Sequence, residues 1–435
     1  MTRSTGIEAE YVVADNAFGR IDGILRRTPG RTSPTVLLQT HPRASSDGNL
    51  TAWPMLDLPR HGIDTFAFNN RYSNSTAGTE VITVFEDFAR DVAAAVEELR
   101  RRGYERIVLY GYSAGGPVAA FYQNVAENGN RVFRDGRTLS GFTGYRDRKG
   151  DDLRLPPVDA LVTHNATTGT GYSFLTRLDG SIVDEERGIR DPELDPFAPR
   201  NGYDPATGGA HYERTFLRAY FAAQCRRMNR LVEIARTRLE RNRAGHGEFV
   251  DDGFIVVPGI RAEPASVDLG LAAATAGAWP LHPGGAPTVV RSRRRVVPDY
   301  ARRNRSLRDG GTVHTLTGFL SYRAVLADPE THDPDATTPE AGGVDLESSN
   351  ATTAGNLGGV TVPLLVTAST ADTQVHLPHA ELAWNAAART ADRSLAFVEG
   401  AEHDMTPIEP RYGDTRAVHL AIVRDWIASR FPTAT

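Results

Sequence analysis

The sequence predicts an α/β fold, a mostly parallel sheet flanked by helices and interrupted by a long inserted segment. Strand-like and helix-like patterns alternate over residues 1–165 and again over residues 360–435, which is typical of parallel strands joined by helical crossovers. Residues 166–359 break this rhythm and are too long for a connecting loop. We therefore predict a core of residues 1–165 and 360–435, with residues 166–359 as an inserted, largely helical cap domain.

The core part before the insert contains six predicted strands and two predicted helices. The strands are short runs rich in apolar and β-branched residues, and they cover residues 10–14, 20–27, 35–40, 63–69, 106–112 and 158–163. The helices cover residues 85–102 and 114–127. In the first helix, apolar residues recur every three or four positions, as on the buried face of an amphipathic helix.

The core part after the insert resumes the alternation. It contains predicted strands over 362–368 and 394–398, and predicted helices over 378–389 and 415–430. Within the insert, one long amphipathic helix is predicted over 212–241, and segments rich in Pro and Gly surround it.

Composition excludes several classes of function. The 435 residues carry a formal net charge of −5, without the basic excess that is typical of nucleic-acid-binding proteins. The single cysteine, Cys225, permits no intramolecular disulfide. No run approaches the roughly 20 apolar residues that cross a bilayer, and the first residues lack the apolar region of a secretory signal. We expect a cytoplasmic protein that acts on a small molecule, without nucleic-acid or membrane partners; a homodimer is possible.

A candidate nucleophile lies where the fifth predicted strand meets a helix. Gly111-Tyr-Ser113-Ala-Gly115 matches the G-x-S-x-G pattern, in which a serine occupies a strained strand-to-helix turn. The small residues allow the strand and helix backbones to approach closely. The pattern alone is weak, but its position between a predicted buried strand and a predicted helix favours a nucleophilic Ser113 over an inert one.

A serine hydroxyl needs a base, and in this topology the base follows the acid along the chain. Strand 362–368 is followed by Asp372, and strand 394–398 is followed by His403. We predict that His403 takes the proton of Ser113 and that Asp372 holds His403 through Nδ1. Glu399, Glu402 and Asp404 are rival acids, although Glu402 and Asp404 adjoin His403 in the sequence. The strand 158–163 is followed by His164 and Asn165, so no carboxylate fills that other acid position.

The oxyanion of the reaction needs two hydrogen-bond donors. The N–H of Ala114, at the start of the helix, is the first candidate. The second should come from the loop after strand 35–40, which begins His41-Pro42-Arg43. Because Pro42 has no N–H, we predict Arg43 as the second donor.

At this point the sequence resembles the α/β-hydrolase superfamily. The resemblance covers residues 7–165 and 360–432 and depends on Gly111–Gly115, Asp372 and His403. It implies an eight-stranded, mostly parallel sheet and no cofactor. His41-Pro42 stands where many members have His-Gly, a departure that affects the oxyanion loop and the space beside it. The superfamily includes esterases, lipases, thioesterases, amidases, peptidases, carbon–carbon hydrolases and a few lyases, so fold alone does not choose a substrate.

The leading hypothesis is a serine hydrolase that cleaves a carboxylic ester or thioester through an acyl-enzyme. An amidase, peptidase or carbon–carbon hydrolase with the same triad, a lyase or oxygenase, and a binding protein are the alternatives. The large insert predicts a covered pocket for a medium-sized organic molecule, with His41 and Tyr112 beside the nucleophile. Several aromatic residues either line that pocket or form the core of the cap: Tyr172, Phe174, Tyr203, Phe216, Tyr220 and Trp279. No metal site is predicted, since His376 and His379 lack further ligands in the sequence.

Overall fold

The structure of the chain is a computed structural model. It describes residues 6–28, 30, 33–41, 53–73, 83–129, 138–139, 154–271, 274–283, 289–294, 310–331 and 343–433.

A ten-stranded sheet forms the centre of the structure. We number its strands in chain order as β1 Glu8–Asn16, β2 Gly19–Arg27, β3 Thr35–Thr40, β4 Asp64–Asn69, β5 Arg106–Tyr112, β6 Ala160–His164, β7 Ala274–His282, β8 Val289–Arg294, β9 Leu364–Ser369 and β10 Arg393–Val398. Their spatial order is β1-β2-β4-β3-β5-β6-β9-β10-β7-β8. The pairs β1–β2, β2–β4 and β7–β8 are antiparallel, and every other neighbouring pair in this described sheet is parallel.

The predicted sheet of mostly parallel strands is confirmed. Each core strand lies within three residues of its predicted bounds. Strands β3, β4, β6 and β9 are buried along their whole length, which explains why they appear in the sequence as continuous apolar runs rather than alternating ones. Strand β1 lies at the edge, and its exposed and buried positions alternate accordingly.

Helices cover both faces of the sheet. The longer ones are α1 Asp87–Arg101, α2 Gly115–Asn128, α3 Thr170–Leu175, α4 Arg214–Arg243, α5 Leu377–Ala386 and α6 Thr415–Ala428. Helices α1, α2 and α5 pack on one face of the sheet, and α6 packs on the other through Val423, Trp426 and Ile427. None of the described helices is both long and apolar enough to cross a bilayer.

The sheet has two more strands than the eight that the resemblance implies. The extra strands, β7 and β8, come from the inserted segment, and Leu281 of β7 pairs with Phe397 of β10. An uncovered edge strand leaves a row of backbone hydrogen-bonding groups unpaired. Strand β7 provides partners for such groups on β10. The Gly277 and Pro280 within β7 weaken its strand pattern in the sequence. The division of the chain at 166 and 359 stays a prediction, and residues 274–294 lie in the central sheet.

The described residues of the insert contain strands as well as the expected helices, and a largely helical insert stays a prediction. Besides α3 and α4, they contain short helical turns at Pro264–Val267, Leu316–Gly318, Phe319–Arg323 and Ala354–Leu357. Small antiparallel ribbons join Ile182–Asp184 to Ile189–Arg190, Tyr203–Asp204 to Gly209–Ala210, Phe254–Pro258 to Gly311–Thr315, and Leu326–Ala327 to Val344–Asp345. These strands are short and lack clear period-two alternation in the sequence, so the sequence pattern did not predict them.

The long helix α4 is held by a buried arginine as well as by apolar packing. Its residues Met228, Leu231 and Val232 belong to a second hydrophobic core that includes Phe174 and Phe319. Arg227 is fully buried. Its guanidinium forms two hydrogen bonds to the Glu185 carboxylate, at 2.9 and 2.7 Å, and three more to the backbone carbonyls of residues 179, 258 and 259.

We predict that Arg227→Ala lowers the free energy of unfolding by about 3–5 kcal/mol, because five buried hydrogen bonds would be lost. Among the described residues, the Glu185 carboxylate would keep only Arg230 as a cationic partner, at 2.8 Å. Chemical denaturation followed by circular dichroism measures this loss. Arg218→Ala is the matched control, since Arg218 is exposed on the same helix, and a change within about 0.5 kcal/mol is expected there. Equal effects of the two substitutions would contradict the anchoring role of Arg227.

Candidate active site

The turn between β5 and α2 holds Ser113 in an unusual backbone conformation. Its φ is +54°, in the left-handed region that residues other than glycine adopt uncommonly. The two motif glycines explain how the backbones fit around it. A Cβ on Gly111 would lie 2.6 Å from the carbonyl oxygen of Gly115, and one on Gly115 would overlap the carbonyl oxygen of Thr40. The motif glycines are therefore required by close packing of β3, β5 and α2.

Three predicted residues come together beside this turn. His403 Nε2 lies 2.9 Å from Ser113 Oγ, and His403 Nδ1 lies 2.6 Å from Asp372 Oδ2. Both distances are those of hydrogen bonds. We refer to these residues as the Ser–His–Asp row. Asp372 follows β9 and His403 follows β10, so the neighbouring carboxyl ends of two parallel strands place them side by side.

Asp372 is held firmly as the partner of His403. Its side chain is 1% exposed, and its second oxygen, Oδ1, accepts hydrogen bonds from the backbone N–H groups of Gln374 and Val375 at 2.7 and 3.0 Å. The rival acid Asp404 instead forms an ion pair with Arg416 at 2.7 Å. Asp372, the acid predicted from chain order, is therefore the carboxylate that contacts His403.

The contact with Asp372 favours the protonated form of His403. Burial alone would lower the pKa of His403, but the charge of Asp372 and the hydrogen bond to it outweigh burial and raise that pKa above its ordinary value. The imidazole is consequently a stronger base than an isolated histidine. Such a ring can accept a proton from a neighbouring hydroxyl and hold the resulting charge.

Asn165 positions the loop that carries His403, a role that the sequence analysis did not assign. Its Nδ2 donates to the backbone carbonyl of His403 at 2.8 Å and to Ser369 Oγ at 2.7 Å, while its Oδ1 accepts from the backbone N–H of Ser369 at 2.8 Å. Ser369 Oγ in turn donates to the carbonyl of Glu402 at 2.8 Å. Its place after β6, at the carboxyl end of a parallel strand, is the signal that could have identified it.

The Tyr112 ring packs against both His403 and the buried His164. Its ring centre lies 5.1 Å from that of His403 and 4.9 Å from that of His164. His164 is buried, and burial lowers its pKa well below the ordinary histidine value, so a neutral ring lies beneath the site. Tyr112 therefore supports His403 from one side and faces the cavity from another.

The two candidate oxyanion donors are described in part. Ala114 directly precedes α2 and lines the cavity beside Ser113, at a helix N terminus where partial positive charge accumulates. Arg43 lies outside the described residues, which on this side end at His41. His41 itself lines the cavity, with its ring 5.9 Å from that of Tyr112.

A cavity of about 790 Å³ opens over Ser113. The wall formed by the core contains His41, Tyr112, Ser113, Ala114, Val375 and His403. The wall formed by the insert includes Phe174, Arg177, Arg261, Glu263, His314 and Arg323. The volume suits a medium-sized organic molecule, and the charged wall was not predicted. Its residues are scattered over three segments of the insert, so no local pattern brings them together in the sequence.

Tyr172, Phe216 and Tyr220 do not line this cavity. Tyr172 packs edge-on against His379, with ring centres 5.5 Å apart. Phe216 stacks against Tyr220 at 5.6 Å, and the buried Tyr220 hydroxyl donates to the carbonyl of Ala262 at 3.1 Å. These rings are packing residues of the insert, as helical spacing at positions 216 and 220 also suggests.

The remaining aromatic candidates divide in the same way. Phe174 lines the cavity, whereas Tyr203 packs against Phe197 and Trp279 packs against Trp384.

His376 and His379 are both buried. Within the described ranges, no three His, Cys, Asp or Glu side chains are grouped so that they could hold a metal ion.

Comparisons with known proteins find solved structures that are similar to this chain. No protein-family model matches the chain, and no curated protein matches it. A siderophore hydrolase from Aspergillus fumigatus is 12% identical, with a TM-score of 0.43 and 98% of each chain covered. Brefeldin A esterase, described as a bacterial homologue of human hormone-sensitive lipase, is 13% identical, with a TM-score of 0.42, 99% of this chain and 78% of that chain covered. The esterase domain of a Rhodothermus marinus protein is 12% identical, with a TM-score of 0.39, 97% of this chain and 98% of that one covered.

The fold follows from the structure itself. A serine on the turn after a central parallel strand, then an aspartate and a histidine after two later strands, is the arrangement of the α/β-hydrolases. Together with the order of the parallel strands, it confirms the α/β-hydrolase fold.

We predict that Gly115→Ala lowers the free energy of unfolding by about 1–3 kcal/mol, the usual cost of forcing a methyl group into a packed site. Thermal and chemical unfolding measure it. Gly358→Ala is the matched control, because φ there is −59° and the nearest atom to a new Cβ lies 3.7 Å away. An unchanged stability for Gly115→Ala would contradict the close packing of β3, β5 and α2.

Proposed function

We propose that this chain is a serine hydrolase that cleaves a carboxylic ester or thioester of a medium-sized organic substrate. The observation that carries the proposal is the Ser–His–Asp row, with its two hydrogen bonds of 2.9 and 2.6 Å. A histidine placed between a hydroxyl and a buried carboxylate has one nitrogen to accept the proton and another held in a fixed tautomer.

In the proposed first half-reaction, His403 removes the proton of Ser113 as Oγ attacks the carbonyl carbon of the substrate. The carbonyl oxygen becomes an oxyanion, and the N–H of Ala114 stabilises it together with a second donor, for which Arg43 remains our candidate. Asp372 stabilises the imidazolium that forms. His403 then gives the proton to the leaving oxygen or sulfur, and the acyl group stays on Ser113.

In the second half-reaction, His403 removes a proton from water, and the oxygen of that water attacks the acyl carbon. Collapse of this second tetrahedral intermediate returns the proton to Ser113 Oγ and releases the acid. The strained turn supports this chemistry, since it holds Oγ at the cavity wall. Among matched ester, amide and β-diketone substrates, we expect the ester to react fastest, because its leaving group departs most readily.

The central test of the role of Ser113 is Ser113→Ala. We predict that kcat on any ester turned over by the wild type falls by roughly 10⁴–10⁶-fold, as expected when the nucleophile of such a triad is removed. Steady-state kinetics with 4-nitrophenyl esters measures it, and circular dichroism checks the fold. Ser429→Ala, on an exposed residue after α6, should leave kcat unchanged. Full activity of Ser113→Ala on every substrate would refute the proposal.

The pH profile tests the coupling of His403 and Asp372. Because only neutral His403 accepts a proton, kcat/KM should fall as pH drops through its raised pKa. In Asp372→Asn the negative charge that raises this pKa is removed, so the acidic limb should move to lower pH while kcat falls by about 10⁴-fold. An acidic limb at the same pH in both proteins would show that Asp372 does not control the histidine.

A further inference from the structure

The part of the cavity wall that comes from the insert carries a charge of the opposite sign to that of the whole chain. The chain has a formal net charge of −5. Arg177, Arg261 and Arg323 line the cavity, and Glu263 is the carboxylate among the described lining residues. With histidines neutral, the lining has three positive charges and one negative. A concave site lined mainly by one sign of charge concentrates ligands of the opposite sign.

Glu263 offsets part of this charge and is already engaged. Its carboxylate lies 3.6 Å from Arg177 and 3.7 Å from His376, and it accepts a hydrogen bond from Ser266 Oγ at 2.9 Å. Burial would raise the pKa of Glu263, but His376 and Arg177 outweigh burial and lower that pKa to about 2. The carboxylate is therefore ionised at neutral pH, and its negative charge lies beside Arg177 and His376.

Arg261 is the guanidinium best placed to meet a ligand. It is exposed at the cavity, and no carboxylate of the described residues lies within 4.0 Å of it. The alkyl stem of Arg261 passes 3.4 Å from the Cβ position of Gly310. The backbone N–H of Ala262 donates to the carbonyl of Arg177 at 3.0 Å. This bond joins the two chain segments that carry Arg177 and Arg261.

Arg323 adds to the same wall in a fixed orientation. Its guanidinium lies 4.7 Å from the ring centre of Tyr322 and 5.9 Å from that of Phe174, and both rings line the cavity. Such cation–π contacts hold a guanidinium over an aromatic face. The wall therefore combines rings for an organic framework with guanidinium groups that match a carboxylate in shape.

We infer that the substrate of this site carries a carboxylate away from the bond that is cleaved, and that Arg261, assisted by Arg177, binds it. The inference rests on the proposed function for the reaction itself. It names a class of substrate, esters or thioesters with an anionic acyl or leaving group. It also predicts that uncharged esters of the same size are poorer substrates.

Two pairs of esters test the inference and locate the anion. 4-Methylumbelliferyl hemiglutarate and 4-methylumbelliferyl valerate differ by a carboxylate in place of a methyl group on the acyl chain. 3-Carboxyphenyl acetate and 3-methylphenyl acetate differ in the same way on the leaving group. In at least one pair we expect kcat/KM to favour the anionic ester by about tenfold or more, the range of a charge-assisted hydrogen bond. Added salt should reduce this preference.

Variants of the wall assign the preference to particular residues. Arg261→Gln should reduce the anionic-to-neutral ratio of kcat/KM by about tenfold, Arg177→Gln should reduce it less, and Arg261→Lys should retain part of it because the charge remains. Arg218→Gln, which removes an exposed charge from α4, is the matched control and should leave the ratio unchanged. A wild-type ratio near one in both pairs, or a ratio unaffected by Arg261→Gln and Arg177→Gln, would overturn the inference.

Binding to a protein that cannot turn over separates this inference from the proposed function. Calorimetric titration of Ser113→Ala with both esters of a pair should give tighter binding of the anionic ester and a loss of that difference when Arg261→Gln is added. Equal affinities in both pairs would overturn the inference even if Ser113 is the nucleophile. Tighter binding of the anion, lost when Arg261→Gln is added, would sustain it even if the wild type hydrolysed none of these esters and the proposed reaction failed.

Discussion

The close approach of three backbone segments at Gly111 and Gly115 is the constraint on which the site depends. Strand β5 ends, α2 begins, and the end of β3 touches the first turn of that helix. A Cβ at either glycine would collide with a neighbouring backbone, and the turn between them passes through the left-handed conformation at Ser113. That strain persists because the buried sheet and helices around it determine the backbone on both sides.

The positions of Asn165, Asp372 and His403 depend on the order of the strands in the sheet. Because β6, β9 and β10 are neighbouring parallel strands, their carboxyl ends deliver Asn165, Asp372 and His403 to one edge of the sheet. Asn165 then joins the ends of β6 and β9 to the loop of His403. A network of this kind, with each polar group satisfied, holds a ring more rigidly than a single contact would.

Local pattern and chain order predict much of the fold and of the site. The buried strands, the turn at Ser113 and the order of Asp372 and His403 follow from motifs and from the rule that parallel strands end together. Contacts between distant segments leave no such signal in the sequence. β7 pairs with β10 despite a weak strand pattern, and Arg177, Arg261 and Arg323 converge from separate segments of the insert. Phe216 and Tyr220, one turn apart on α4, stack on each other within the insert; the same spacing would also suit rings that line a pocket, so the sequence does not separate the two roles.

The most direct test of an activated Ser113 is intact-mass measurement after treatment with a small fluorophosphonate, on the wild type and on Ser113→Ala. The cavity of about 790 Å³ reaches Ser113 and is large enough to admit such a probe. We predict a single adduct on the wild type, mapped by peptide analysis to Ser113, and none on the variant. An unlabelled but folded wild type, or an adduct on another residue that persists in the variant, would contradict it.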